Sequence, residues 1–346
     1  MEILKIGNLE LENGGQLKDV QLAYHTYGNY IPGKTPVVWV CHALTANSDV
    51  FSWWPGLFGQ KDLFNPVDYF IICVNNLGSC YGSTGPLSIN PDTKSPYFHH
   101  FPKITIRDIV NSLNTLRKKL GIDQIDLLIG GSQGGQIALE WALLENKLIK
   151  NLVLVSTNAK HSAWGIAFNE SQRLAIFSDR TYFSYNKDGG TKGLQAARSI
   201  ALLSYRNYKT YTHFQTDDES LNFVGRKAAT YQQYQGKKLV NRFNAFSYVA
   251  LSYAMDSHDV FRGRTNDCLK SIKANTLVIG IKEDILFPIE EQEFLAKSID
   301  NAHFEIIESL YGHDGFLIET QKLSEIIKSF LKKKIIDNKK LIYERI

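Results

Sequence analysis

Ser132 lies in Gly130-Gly131-Ser132-Gln133-Gly134-Gly135, after the apolar run Ile125-Asp126-Leu127-Leu128-Ile129 and before Gln136-Ile137-Ala138-Leu139-Glu140-Trp141-Ala142. An apolar run, a glycine-flanked serine and an amphipathic continuation spell a G-x-S-x-G turn between a strand and a helix. Such a turn holds its serine in an unfavourable backbone conformation, so the positions two residues away must lack side chains. Gly130 and Gly134 fill them. The helix that follows aims its first N–H groups at the serine and favours negative charge developing there. The same pattern suits a turn that binds phosphate or only packs tightly, so the choice rests on partners elsewhere in the chain.

A serine hydroxyl becomes a nucleophile when a base, itself oriented by a carboxylate, removes its proton. Of the nine histidines, His313 is the best placed, in Tyr311-Gly312-His313-Asp314-Gly315 after the last apolar run. Asp284 follows the preceding run and stands before Leu286-Phe287-Pro288, with Glu283 as its neighbouring rival. Ser132, Asp284 and His313 thus come in the chain order serine, acid, histidine. The oxyanion needs two backbone donors. One is expected from Gln133, next after the nucleophile, and the other from Leu44 in the loop after residues 37–41. His42 ends that run and is expected to shape the loop. His161, His258 and the pair His99-His100 read as polar surface or hydrogen-bonded residues.

These groups need a scaffold that converges them. Residues 3–11 and 17–27 read as a hairpin around Glu12-Asn13-Gly14-Gly15. Val37-Val38-Trp39-Val40-Cys41 and Tyr69-Phe70-Ile71-Ile72-Cys73-Val74 are continuous apolar runs, the kind buried on both faces of a sheet. A helix spans Thr105 to Leu120, with Ile106, Ile109, Val110, Leu113, Leu116 and Leu120 in period. Strands at 125–130 and 152–155, 276–281 and 304–307, a helix from Pro288 and another from Thr320 complete a mostly parallel α/β pattern. Between about 158 and 265 strand-like runs give way to dense aromatics. Segments 169–178, 192–206, 218–234 and 238–256 read as helices of a lid, with Gly189-Gly190 as a loop. The expected organisation is a discontinuous core of 1–158 and 266–346 with a helical lid of 159–265.

Forty-four per cent apolar and 21% charged residues are ordinary for a folded domain, and a net charge of +4 makes no case for nucleic acid. No run approaches a transmembrane span, and the start, Met1-Glu2-Ile3-Leu4-Lys5-Ile6-Gly7, lacks the apolar core of a signal peptide. Cys41, Cys73, Cys80 and Cys268 show neither metal spacing nor a disulfide framework. A cytoplasmic protein without a metal is expected. The run Lys332-Lys333-Lys334, then Lys339-Lys340, reads as a solvated helix face.

Four separated stretches resemble homoserine O-acetyltransferases of the α/β-hydrolase superfamily: Cys41-His42-Ala43-Leu44-Thr45; Leu77-Gly78-Ser79-Cys80-Tyr81-Gly82-Ser83-Thr84-Gly85-Pro86; Gly130 to Trp141; and Gly312-His313-Asp314-Gly315-Phe316-Leu317. In the lid, Phe168-Asn169-Glu170 with Arg173, Ala197-Arg198, Ser204-Tyr205-Arg206 and Tyr234-Gln235-Gly236-Lys237-Lys238 extend the likeness over nearly the whole chain. The resemblance implies an α/β-hydrolase fold and ping-pong acetyl transfer from acetyl-CoA, a co-substrate rather than a bound cofactor, to L-homoserine through an acetyl-Ser132. It further implies Arg198 on the amino acid's carboxylate, Asp314 facing its ammonium, Tyr205 in the pocket, and a homodimer formed through the lid. For Arg198 and Arg173 the alternative is lid-to-core ion pairing, and for Asp314 a loop turn. Gln133 replaces the family's usual methionine and is expected to add a polar group near the acyl pocket. Serine O-acyltransferases, homoserine O-succinyltransferases and an esterase or deacetylase share the triad. A non-catalytic binding member of the fold would have no need to keep Ser132, Asp284 and His313 together.

Overall fold

The computed structural model describes residues 1–217 and 224–343, the stretch 333–343 by backbone alone. Eight strands form one sheet: β1 (Glu2–Glu10), β2 (Gln16–Tyr27), β3 (Val37–Cys41), β4 (Phe70–Val74), β5 (Ile125–Gly131), β6 (Ile149–Val155), β7 (Asn275–Ile281) and β8 (Ala302–Ile307). Their order is β1-β2-β4-β3-β5-β6-β7-β8, with the β1–β2 hairpin antiparallel at one edge and β4 to β8 parallel. The apolar runs are continuous because both faces of the sheet are covered. In β3, Val37, Trp39 and Cys41 pack into one core while Val38 and Val40 pack into the other.

The first of those cores is closed by α1 (Ile106–Lys119) and α2 (Gln133–Leu144), whose Ile109, Leu113, Ile137 and Trp141 are buried in it. Helix α1 begins with a capping box, Thr105 and Asp108 satisfying each other's backbone N–H groups. Leu323, Ile327 and Phe330 of the last helix pack into the opposite core.

Between β6 and β7 the described residues hold helices: α3 (Ala163–Ser178), α4 (Thr191–Tyr205), α5 (Tyr208–Gln215), α6 (Lys227–Val240) and α7 (Ala245–Asp256). The two ends of this insertion pair with each other, His161 N–H donating to His258 C=O and Val260 N–H to Ala159 C=O, at 2.9 and 3.0 Å. Its helices differ from the expected segments. α3 starts six residues early behind the Ser162 cap, α5 is additional, and α6 begins at Lys227. The expected helix 238–256 is broken, because Asn244 caps a new start at Ala245. The portion 218–223 of the expected helix 218–234 lies outside the described residues, as do the side chains of Lys333, Lys334, Lys339 and Lys340. The core resumes with α8 (Ile289–Ser298) and α9 (Thr320–Tyr343). Among the described residues no helix is long and apolar enough to cross a membrane, and no cluster of His, Cys, Asp and Glu suits a metal ion.

Candidate active site

Ser132 caps α2 at φ 57° and ψ −128°, in the positive-φ region that residues with a Cβ rarely occupy. The neighbouring glycines are required by close approach. A Cβ on Gly130 would stand 2.2 Å from the Gly134 carbonyl oxygen, and one on Gly134 would stand 2.0 Å from the Cys41 carbonyl oxygen. The turn is therefore pressed against itself and against β3, which lifts Ser132 at the C-terminal edge of the parallel strands, where α/β sheets hold their sites.

The loops after β7 and β8 bring the other two groups to it. His313 Nε2 lies 2.9 Å from Ser132 Oγ, and His313 Nδ1 lies 2.6 Å from Asp284 Oδ2. Asp284 Oδ1 accepts from the Leu286 and Phe287 N–H groups at 2.8 and 2.9 Å, so the carboxylate is held on both oxygens. All three side chains are buried. Phe287 stacks on the His313 ring at 5.2 Å, and Phe316 meets it edge-on at 5.3 Å. In this arrangement Nδ1–H donates to Asp284 and Nε2 is free to accept the serine proton. The rival Glu283 is engaged elsewhere, accepting from Ser309 N–H at 2.9 Å.

Gln133 opens α2, so its N–H has no intrahelical acceptor. Leu44 lines the cavity above Ser132, and its N–H makes no hydrogen bond among the described residues. His42 fixes this loop. Burial lowers it to about 4, so it is neutral near pH 7. Its Nε2 accepts from Asn76 N–H at 3.0 Å and its Nδ1–H donates to Ala43 C=O at 2.9 Å. His161 and His258 are also buried and hydrogen-bonded rather than on the surface.

A cavity of about 380 Å³ opens over Ser132. Arg198 and Tyr205 of α4 line it, the guanidinium 5.1 Å from the tyrosine ring centre and that ring 5.8 Å from His313. Arg198 has no carboxylate partner among the described residues, so ion pairing does not explain it. Arg173 behaves otherwise. It is buried against Asp256 and Glu170 at 2.6 and 2.7 Å, away from the cavity. Asp314 lines the cavity but holds Arg206, at 3.1 Å through Oδ2.

The Gln133 side chain departs from expectation. It does not line the cavity, because its Nε2 donates to the Leu251 carbonyl of α7 at 2.8 Å, and its Oε1 is buried with no partner among the described residues. Sequence reasoning also passed over Lys238, Arg242, Trp53 and Arg206, which line the cavity or back it. Lys238 and Arg206 fall within stretches that resemble the homoserine O-acetyltransferases, but nothing in their spacing points at Ser132.

Residues 36–320 match the family model described as the alpha/beta hydrolase fold. The chain is 47% identical over 324 residues to a homoserine O-acetyltransferase of Cyclobacterium marinum, covering 93% of this chain and 92% of the relative. It is 41% identical over 347 residues to that of Chlorobaculum tepidum, covering 95% and 94%. The crystal structure of homoserine O-acetyltransferase from Bacillus anthracis superposes with a TM-score of 0.88 at 24% identity, over 95% of this chain and 96% of that one. Esterase E22 superposes with a TM-score of 0.87 at 21% identity, over 95% and 99%. At those identities the two structures speak for the fold alone, which serves transfer and hydrolysis alike.

Proposed function

Because the chain belongs to the homoserine O-acetyltransferase family of the α/β-hydrolase fold, we propose that it moves an acetyl group from acetyl-CoA to the hydroxyl of L-homoserine by a ping-pong mechanism. Ser132 Oγ attacks the thioester carbonyl while His313 Nε2 takes its proton and Asp284 steadies the imidazolium. The Leu44 and Gln133 N–H groups receive the oxyanion. As the C–S bond breaks, His313 returns the proton to the leaving thiolate, and an acetyl-Ser132 remains. L-Homoserine then enters, His313 takes its hydroxyl proton, and the new alkoxide displaces Ser132, which recovers that proton. Arg198 grips the carboxylate of the amino acid with its planar fork. Asp314 faces the ammonium, and Tyr205 closes the pocket beside His313.

One observation carries this reading. The hydrogen-bonded relay Asp284–His313–Ser132 opens into a cavity where Arg198 has no acidic partner among the described residues. Water needs no such cation, whereas an amino-acid acceptor does. Methionine biosynthesis in the cytoplasm, with no tightly bound cofactor, is the setting that this reading implies. It includes a homodimer through the lid, supported by Leu174, Leu203, Tyr208 and Tyr234, which are exposed on lid helices.

The test is thiol release from acetyl-CoA, with and without L-homoserine. Homoserine should stimulate it, and Ser132→Ala should abolish it by at least about 1,000-fold. Release indifferent to homoserine would leave a hydrolase instead. Succinyl-CoA and L-serine as alternative substrates define the acyl and acceptor preference.

A further inference from the structure

The cavity over Ser132 is unevenly charged. Arg198, Lys238 and Arg242 line it, and none has a carboxylate at ion-pair distance among the described residues. Asp314, the one acid that lines it among the described residues, is already met by Arg206. The chain as a whole carries only +4, so this excess is local.

The three cations stand in two kinds of place. Arg198 is half-buried over the Tyr205 ring, which itself lies 5.8 Å from the His313 ring. Lys238 and Arg242 are exposed at the corner between α6 and α7. Arg242 Nη1 donates to the Thr45 carbonyl and, at 2.8 Å, to the Tyr81 hydroxyl, which fixes the corner to the loop carrying Leu44. A guanidinium has five donors, and these contacts leave some of them for another acceptor. Lys237 and Lys238 both complement the dipole at the end of α6, but only Lys238 lines the cavity. Ala43, Ala46, Trp53 and Leu317 add apolar lining to the same cavity.

We propose that Lys238 and Arg242 form the seat for the phosphate-bearing end of the acyl donor, while Arg198 is kept for the acceptor's carboxylate. This rests on the transferase reading above and names the donor side of the same cavity. A thioester whose acyl end reaches Ser132, whose arm is uncharged and whose far end carries phosphates matches a cavity that holds the serine, apolar lining and two exposed cations. Arg242 grips a phosphate as a planar fork and Lys238 as a point charge. Donor and acceptor therefore meet different cations, which suits a reaction in which one leaves before the other binds.

The test compares acetyl-CoA with S-acetyl-pantetheine, which lacks the phosphates, as donors to L-homoserine. The readout is the ratio of kcat/KM for the two donors in the wild type, Lys238→Glu and Arg242→Gln. The ratio should fall by about tenfold in Lys238→Glu and by several-fold in Arg242→Gln. Added salt should erode it in the wild type more than in either variant. An unchanged ratio in Lys238→Glu, within about twofold, overturns the proposal. Equal loss with both donors in Arg242→Gln would report only its hold on Thr45. Failure of the wild type to use either donor would strike the transferase reading itself.

Discussion

The peptide joining Ala43 to Leu44 has its carbonyl held by His42 Nδ1–H at 2.9 Å, and its N–H is one of the two groups assigned to the oxyanion. Since a peptide is planar, fixing the carbonyl fixes the direction of the N–H. The Asn76 N–H, donated to Nε2, forces the one His42 tautomer that can do this. His42 is thus a positioning residue, acting through a backbone it does not share with the substrate. In His42→Gln the pre-steady-state burst of thiol release should slow by up to about 100-fold, because one oxyanion donor is worth roughly that much. The KM for homoserine should hold, since the acceptor side is untouched. A burst at the wild-type rate, or a loss confined to KM, would remove His42 from this role. A urea midpoint measured alongside separates the effect from a folding defect, to which the unpaired Asn76 N–H could add about 1–3 kcal/mol.

Helix α2 does more than carry Ser132 at its start: two of its glutamines, one turn apart, fasten the helical insertion. Gln133 Nε2 reaches Leu251 C=O, and Gln136 Nε2 reaches Asn158 at 3.0 Å and His161 at 3.3 Å. His161 meets Asn169, which donates to Asp256, the partner of Arg173. Replacing Gln133 by methionine removes one hydrogen bond together with the stranded Oε1, so stability should stay within about 1 kcal/mol and thiol release should persist through the backbone donor. Gln133→Glu buries a charge against a carbonyl oxygen and should cost several kcal/mol. Equal melting of the two variants would refute the tether. Elements set by local rules were legible in the sequence: β3, β4, β5 and β7 as apolar runs, α1 by its period, the elbow by its glycines. The break between α6 and α7 and the extra helix α5 were not, since the Tyr-, Gln- and Lys-rich lid has no clean apolar period to read. That Ser132, Asp284 and His313 come together in space was legible from their order after successive strands. The Gln133–Leu251 and Arg242–Thr45 contacts join residues more than a hundred apart, and no spacing rule encodes them.

For the molecule as a whole, burial of polar groups around the site makes stability depend on pH. His42 and His258 are lowered to about 4 and His161 to about 3, each chiefly by burial, from an ordinary value of 6.5. Between those values and 6.5 the unfolded chain binds protons that the folded chain refuses, so the stability from these groups rises with pH and is withdrawn on acidification. Glu291 works against them. Burial raises it from 4.5 to about 7, so over that interval the folded chain holds a proton the unfolded chain releases, and falling pH favours folding. Three groups against one leave the unfolded state with net proton uptake between about pH 4.5 and 6.5, each net proton contributing at most about 1.4 kcal/mol per pH unit. The thermal midpoint should therefore fall as pH is lowered from 7 to 5. His258→Gln, which can still donate to the Asn158 carbonyl that His258 now meets at 2.9 Å, should flatten that fall by up to one proton. A midpoint that stays level or climbs toward pH 5 would show that the three buried histidines do not govern acid stability.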